Sequence, residues 1–185
     1  LVSSNILLLI TLNKSYVFSD ARYKFVIERQ NLFEPVCVNK SIIESVADKI
    51  IELNLKNTMI DPEHINHKNY MFLKEKINLK DKSNITRELR IIKDVYEIDN
   101  IIKAQQIAEK AFKDVIKNIK IGDTTKEIAA LLNYKMNLYG SEEEAFSTIV
   151  VNEEESADCH GVPSNKMIKY GDLILFDFGA TYNGY

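Results

Sequence analysis

The sequence predicts an α/β chain, α+β taken as a whole, built in two units. Three observations carry this. Up to about residue 77, short β-patterned runs alternate with helix-patterned ones. From Leu79 to Arg87 the periodicity lapses into Lys, Asp, Ser, Asn and Thr, which marks a boundary between units of residues 1–83 and 84–185. Beyond it, apolar residues step by three and four over a long stretch before β-patterned runs return and end in Leu173–Phe178.

In the first unit, Ile6–Thr11 and Ser15–Phe18 read as strands joined through Asn13-Lys14 in a tight hairpin. Asp20 caps a helix striped by Tyr23, Val26 and Ile27 to about Gln30. Phe33–Val38 is a further strand. Ser41-Ile-Ile-Glu44 has capping-box spacing and opens a helix with Ile43, Val46, Ile50 and Leu53 along one side. Thr58–Ile60 is a short strand, and Asp61-Pro62, a cap with proline behind it, starts a helix to about Ile77.

In the second unit, Asp94-Val-Tyr-Glu97 opens a long amphipathic helix expected to stop at Gly122. Thr124-Thr-Lys-Glu127 is another capping box, for a helix through Ile128, Leu131, Leu132, Met136 and Tyr139 to a Gly140 cap. Phe146–Val151 is a strand. Asn152–Ser156 is an acidic loop, and a connection rich in Gly, Pro, Ser and Asn leads to the last strand.

With 45% apolar and 28% charged residues, a 185-residue chain buries a sizeable core. A net charge of -3, with the basic residues spread out, gives no face for nucleic acid. Ile6–Leu12 is too short to span a membrane. Two distant cysteines, Cys37 and Cys159, make no disulfide framework, so a reduced, cytoplasmic setting is expected. The chain opens on Leu1 rather than Met and stops at Tyr185 within a β-patterned segment, so it is expected to be a piece of a longer protein.

Asp177 is the residue most in need of explanation. Alternation puts it on one strand face with Leu173 and Leu175, while Ile174, Phe176 and Phe178 take the other, and both faces are expected to be covered. A carboxylate buried there is paired by Arg, Lys or backbone amides, is protonated, or has a functional role as a catalytic acid or as a ligand of a hard divalent cation. His160 lies on the loop leading to that strand, so the two could meet in one pocket, though a lone imidazole specifies no chemistry. Cys159 and His160, as sequence neighbours, point apart and make no direct dyad. His64 and His67 could share a helix side, but a solvated face is the plainer reading, as it is for Glu153–Glu155.

Taken in order, Arg90–Ile98, Gly122–Glu127, Phe146–Val150, Ser156–Pro163 and Gly171–Tyr185 resemble the Xaa-Pro aminopeptidase and Xaa-Pro dipeptidase family. The likeness is strong from about Arg87 onward. It extends more loosely to Leu7–Thr11 and Phe18–Tyr23, which look like the creatinase-type N-terminal domain of these enzymes. The resemblance implies a creatinase-like N-terminal α/β domain followed by an incomplete pita-bread metallopeptidase domain. It implies metal-dependent hydrolysis of the bond preceding proline, at a peptide N-terminus or in Xaa-Pro dipeptides, with two divalent metal ions, manganese by family habit. A proline-containing peptide is the implied substrate, and a homodimer the implied full-length form. Asp177 matches the first metal-bridging aspartate and His160 the histidine near the scissile bond. The second aspartate is expected eleven positions after Asp177, with the other ligands beyond it, so this stretch by itself is expected to be inactive. Cys159 departs from the proline common before the histidine. A non-catalytic pita-bread relative acting as a binding module is the alternative.

Overall fold

The computed structural model describes residues 5–185. Contacts divide the chain into two units, one ending at Ile91 and the other running Ile92–Tyr185, somewhat later than the sequence places the boundary.

In the first unit, β1 (Ile6–Ile10) pairs antiparallel with β2 (Ser15–Asp20), from Ile6↔Ser19 to Ile10↔Ser15. The turn closes with the Thr11 N–H donating to Lys14 O at 3.0 Å. β2 then pairs in parallel with β3 (Glu34–Val38). A parallel step needs a crossover, and a 3-10 turn, Ala21–Tyr23, followed by α1 (Lys24–Arg29) supplies it. Asp20 accepts the Arg22 N–H as that turn's cap, and Ile27 is fully buried. β2 is the central strand, and Tyr16, Val17, Phe18 and Ser19 are all buried.

α2 (Ile42–Glu52) turns Ile43, Val46, Ala47 and Ile50 inward. The expected Ser41 capping box does not form; Ser41 makes no side-chain cap bond, while its carbonyl accepts both the Ser45 amide, as the first helical bond, and the Ser45 hydroxyl. β4 (Thr58–Ile60) pairs in parallel with β5 (Leu79–Asp81). The single helix expected from Asp61 is broken. Asp61-Pro62 starts only a 3-10 turn over Pro62–His64, and α3 (His67–Lys76) begins on its own cap, Asn66. The polar run read as a boundary contains β5 and leads into α4 (Ile85–Ile91).

The second unit opens with α5 (Val95–Ile116) and α6 (Thr125–Leu138), and both predicted capping boxes, Asp94/Glu97 and Thr124/Glu127, form in full. α5 ends at Ile116, short of Gly122, because the Asn118 amide folds back to Val115 O. Gly122 instead turns the chain at φ +95°, with its N–H donating to Ile168 O at 2.9 Å. The two helices meet through Ile107, Ala108, Ala111 and Val115 against Ile128, Leu132 and Met136. The alanines allow close approach.

β6 (Ile149–Asn152) and β7 (Ile174–Asp177) form an antiparallel ribbon running from Ile149↔Asp177 to Asn152↔Ile174. Val150, Ile174, Phe176 and Phe178 join the helical core, where Phe112 meets the Phe176 and Phe178 rings at 5.1 and 5.4 Å. β6 is shorter than the predicted Phe146–Val151. Past Ile149↔Asp177 the next bridge is Glu144↔Ala180, so residues 145–148 lie opposite only 178 and 179. That bulge removes Phe146–Thr148 from the ladder.

Candidate functional site

β7 carries Asp177 at its end, and the expectation that both its faces are covered is not met. Ile174 and Phe176 face the helices, whereas Leu173 and Leu175 are 71% and 37% exposed and Asp177 is exposed beside them. Alternation assigns residues to faces correctly, but it does not say what lies over a face. Exposed to water, the Asp177 carboxylate needs no partner to offset desolvation. It stands accessible on a paired strand, with no hydrogen-bond or ion-pair partner among the described residues.

His160 approaches this face through its neighbour. Directly opposite residues of an antiparallel pair share a face, so Ile149 lies beside Asp177, and Val151 beside Leu175 is the next pair on that side. Gly161 is seated on Val151; a Cβ there would stand 2.9 Å from Val151 Cγ1 and 3.3 Å from two backbone oxygens. The preceding residue, His160, donates its N–H to Asp158 Oδ1 at 3.0 Å and is itself exposed. The loop bearing His160 and the carboxylate of Asp177 thus share one side of the ribbon, with no ion pair between the two side chains. Cys159 is an exposed free thiol.

The loop is anchored where it leaves β6. Glu153 adopts φ +52°, which turns its carbonyl out of the ladder toward the Ser156 hydroxyl. Its N–H still donates to Leu173 O at 3.1 Å, and its Oε1 accepts the Leu173 N–H at 2.9 Å. The side chain supplies the acceptor that a strand carbonyl ordinarily would. Glu153 is exposed, as the sequence reading expects, and also acts as a structural clamp, which that reading does not foresee. Asn152, fully buried, donates Nδ2 to Asp172 Oδ2 at 2.7 Å. The Lys169 amide, and then the Asn152 amide, hold the Asp172 carboxyl below its ordinary pKa. Further on, the Thr125 hydroxyl at the start of α6 bonds Ser164 both ways, accepting its N–H at 2.9 Å.

The chain beyond β7 ends in a tight turn. Tyr182 and Tyr185 exchange N–H···O bonds of 2.8 and 3.1 Å around Asn183 and Gly184, whose φ values are +50° and +78°. This is a two-residue type I′ hairpin, and Asn-Gly is the dipeptide that favours it. That signal was available in the sequence. The carboxylate that holds the turn, Glu142, announces itself only in space. In the first unit, His64 Nδ1 lies 3.4 Å from the Asp61 carboxylate and His67 opens α3, so the two do not share one helix.

The model of metallopeptidase family M24 matches residues 99–185, the stretch that holds His160, Asp177 and the turn. Residues 99–185 belong to metallopeptidase family M24. The Xaa-Pro dipeptidase of Pyrococcus furiosus is 44% identical over 115 residues, which is 60% of this chain and 33% of that protein. Among solved structures, an Xaa-Pro dipeptidase from Bacillus anthracis superposes with a TM-score of 0.90 at 30% identity, over 100% of this chain and 53% of that one. An X-Pro aminopeptidase from Thermotoga maritima gives 0.88 at 32% identity, over 97% and 52%. The mixed α/β architecture is thus that of the M24 pita-bread enzymes. The chain spans about a third of the curated dipeptidases it matches and about half of those solved chains.

The family name implies a metal, and the donor chemistry here fits one position of such a centre: Asp177 offers uncommitted oxygens from a rigid strand, as a hard cation prefers. Among the described residues, no three His, Cys, Asp or Glu side chains come together as a metal site. No helix of the described residues is long and apolar enough to cross a membrane.

Proposed function

We propose that the full-length protein is a metal-dependent peptidase that cleaves the bond preceding proline, at the N-terminus of peptides or in Xaa-Pro dipeptides. Asp177 is a ligand of its metal centre, and His160 contacts substrate near the scissile bond. The observation that carries this is the accessible, uncommitted Asp177 carboxylate in an M24 segment, on the same side of the ribbon as the His160 loop. The named relatives supply the substrate class. Two divalent ions, manganese in this reading, would contribute Lewis acidity to carbonyl and water when bound. This chain's own residues hold a negative oxygen pair at the end of β7 and offer an imidazole for hydrogen bonding or proton transfer.

The hairpin supports the remaining ligands being contributed by the full-length chain. Any strand that continues from Tyr185 without a bulge runs back along β7, on the edge that β6 leaves open. In that register a residue eleven positions after Asp177 falls on the carboxylate's face, diagonal to it and within side-chain reach. The proposal takes residues 1–83 as a creatinase-like N-terminal domain and the whole protein as a cytoplasmic homodimer, on the resemblance described above.

The test is an assay of the full-length protein with manganese on an Xaa-Pro dipeptide and on a longer Xaa-Pro peptide. Asp177→Ala should bring turnover to background on both, and His160→Ala should lower it while leaving metal binding in place. Wild-type turnover in Asp177→Ala would refute the metal role. A non-catalytic relative acting as a binding module is the second reading. It is favoured if the wild-type protein binds these peptides without cleaving them.

A further inference from the structure

The turn after β7 is held by a group with no part in the chemistry proposed above. Glu142 Oε1 accepts the Asn183 N–H at 3.1 Å, and Oε2 accepts the Gly184 N–H at 3.2 Å. Both residues have positive φ, so their successive amides point out of the hairpin as a pair. One carboxylate meets both donors with one oxygen each. An amide side chain brings a single acceptor.

Glu142 is itself fixed to the strand it serves. Its N–H donates to Thr181 O at 2.9 Å, Thr181 N–H donates to Ser141 Oγ at 3.1 Å, and Ser141 is buried. From the other side Asn183 Nδ2 donates to Asn100 Oδ1 at 3.0 Å, and the Tyr185 hydroxyl donates to Glu97 Oε1 at 2.9 Å. Asn100 is 5% exposed and its own Nδ2 has no partner, so the bond from Asn183 satisfies the carbonyl end of this buried side chain and leaves the nitrogen end unmet. The turn is therefore held from α5 and from the segment after α6 at once.

We propose that Glu142 is a positioning residue for the metal centre, acting through the Asn183-Gly184 turn to set the register in which the chain returns past Asp177. The inference rests on the reading of Asp177 as a metal ligand. Register matters because a slip of one residue moves every side chain of a strand to its other face, which would take a returning ligand away from the Asp177 side.

The experiment is a calorimetric titration of the metal-free full-length protein with Mn²⁺, comparing wild type, Glu142→Ala, Glu142→Gln and Asp177→Ala. Groups that orient metal ligands typically change affinity by about 10–100-fold, so Glu142→Ala should raise the Mn²⁺ Kd by that factor. Glu142→Gln, keeping one acceptor, should fall between it and wild type. Amide exchange at Asn183 and Gly184 should speed up in the same order. Wild-type Mn²⁺ affinity in a folded Glu142→Ala protein, whatever its melting temperature, reduces Glu142 to a structural tie and overturns the inference. If Glu142→Ala does not fold, Glu142→Gln decides by the same criterion. Loss of Mn²⁺ binding in Asp177→Ala with both Glu142 variants unchanged sinks this inference alone. Wild-type binding in Asp177→Ala sinks the metal reading along with it.

Discussion

Gly179 shows how little room the ribbon leaves at its bulge. A Cβ there would lie 3.0 Å from Ala145 Cβ and 3.3 Å from the Phe146 ring. Gly179→Ala must push backbone or ring aside, and overpacking of this kind costs about 1–3 kcal/mol, measurable as a lower urea midpoint at constant slope. Asp20 carries a different sensitivity. Hydrogen bonds from the Arg22 guanidinium, aided by the Arg22 amide and Asn5, lower its pKa to about 2 from its ordinary value of 3.8. Between these values the unfolded chain binds a proton that the folded chain does not, so this contribution is present above about pH 4 and is lost as pH falls through 2. Melting temperature followed from pH 4 to 2 should drop less steeply in Asp20→Asn than in wild type. Asp20 was legible as a cap from its position alone, and Asp177 as a singular acid. The exposure of Asp177 was not legible, because it depends on what faces a strand from elsewhere in the molecule.

Among the elements, the reliable signals were those whose cause is local. Thr124/Glu127 and Asp94/Glu97 each satisfy their own orphan amides within four residues, and both boxes form as spaced. Thr124→Ala should cost about 1 kcal/mol, as loss of an N-cap typically does, with Glu127→Gln milder because an amide oxygen can still accept. Ser41-Ile-Ile-Glu44 has the same spacing and forms no such cap, the Ser41 side chain making no hydrogen bond to the helix start. β5 is not legible in the sequence for another reason. Leu79-Lys-Asp81 is three residues long, and only its parallel pairing with β4 makes it a strand. The shortening of β6 likewise follows from the bulge opposite residues 178 and 179, a partner distant in sequence.

At the scale of the whole molecule, the two units own separate cores. Phe18, Val46 and Ile50 belong to one, and Ala111, Leu132 and Val150 to the other. Two-state behaviour is a property of single cooperative cores, so calorimetry should resolve responses to core truncation unit by unit. Leu132→Ala, at a fully buried site, should destabilise its own unit by about 2–5 kcal/mol, while a transition sensitive to Phe18→Leu stays in place. A single transition shifted equally by both variants would show the units to be one cooperative body. The α/β class and the division into two units were readable because hydrophobic periodicity reports each core segment by segment. The clamp at Glu153 and the grip of Glu142 were not, since each depends on an amide twenty or more residues away.

The same turn bears on chemical ageing. Asn-Gly pairs deamidate when the glycine nitrogen attacks the asparagine side-chain carbonyl, expelling ammonia to form a succinimide that hydrolyses to aspartate or isoaspartate. Here the nucleophilic nitrogen, that of Gly184, donates its N–H to Glu142, and the Asn183 side-chain amide is tied to Asn100. Both reactants are restrained, so Asn183 should persist in the folded protein and convert in Glu142→Ala, a difference that peptide mass mapping after prolonged incubation at mildly alkaline pH would read directly.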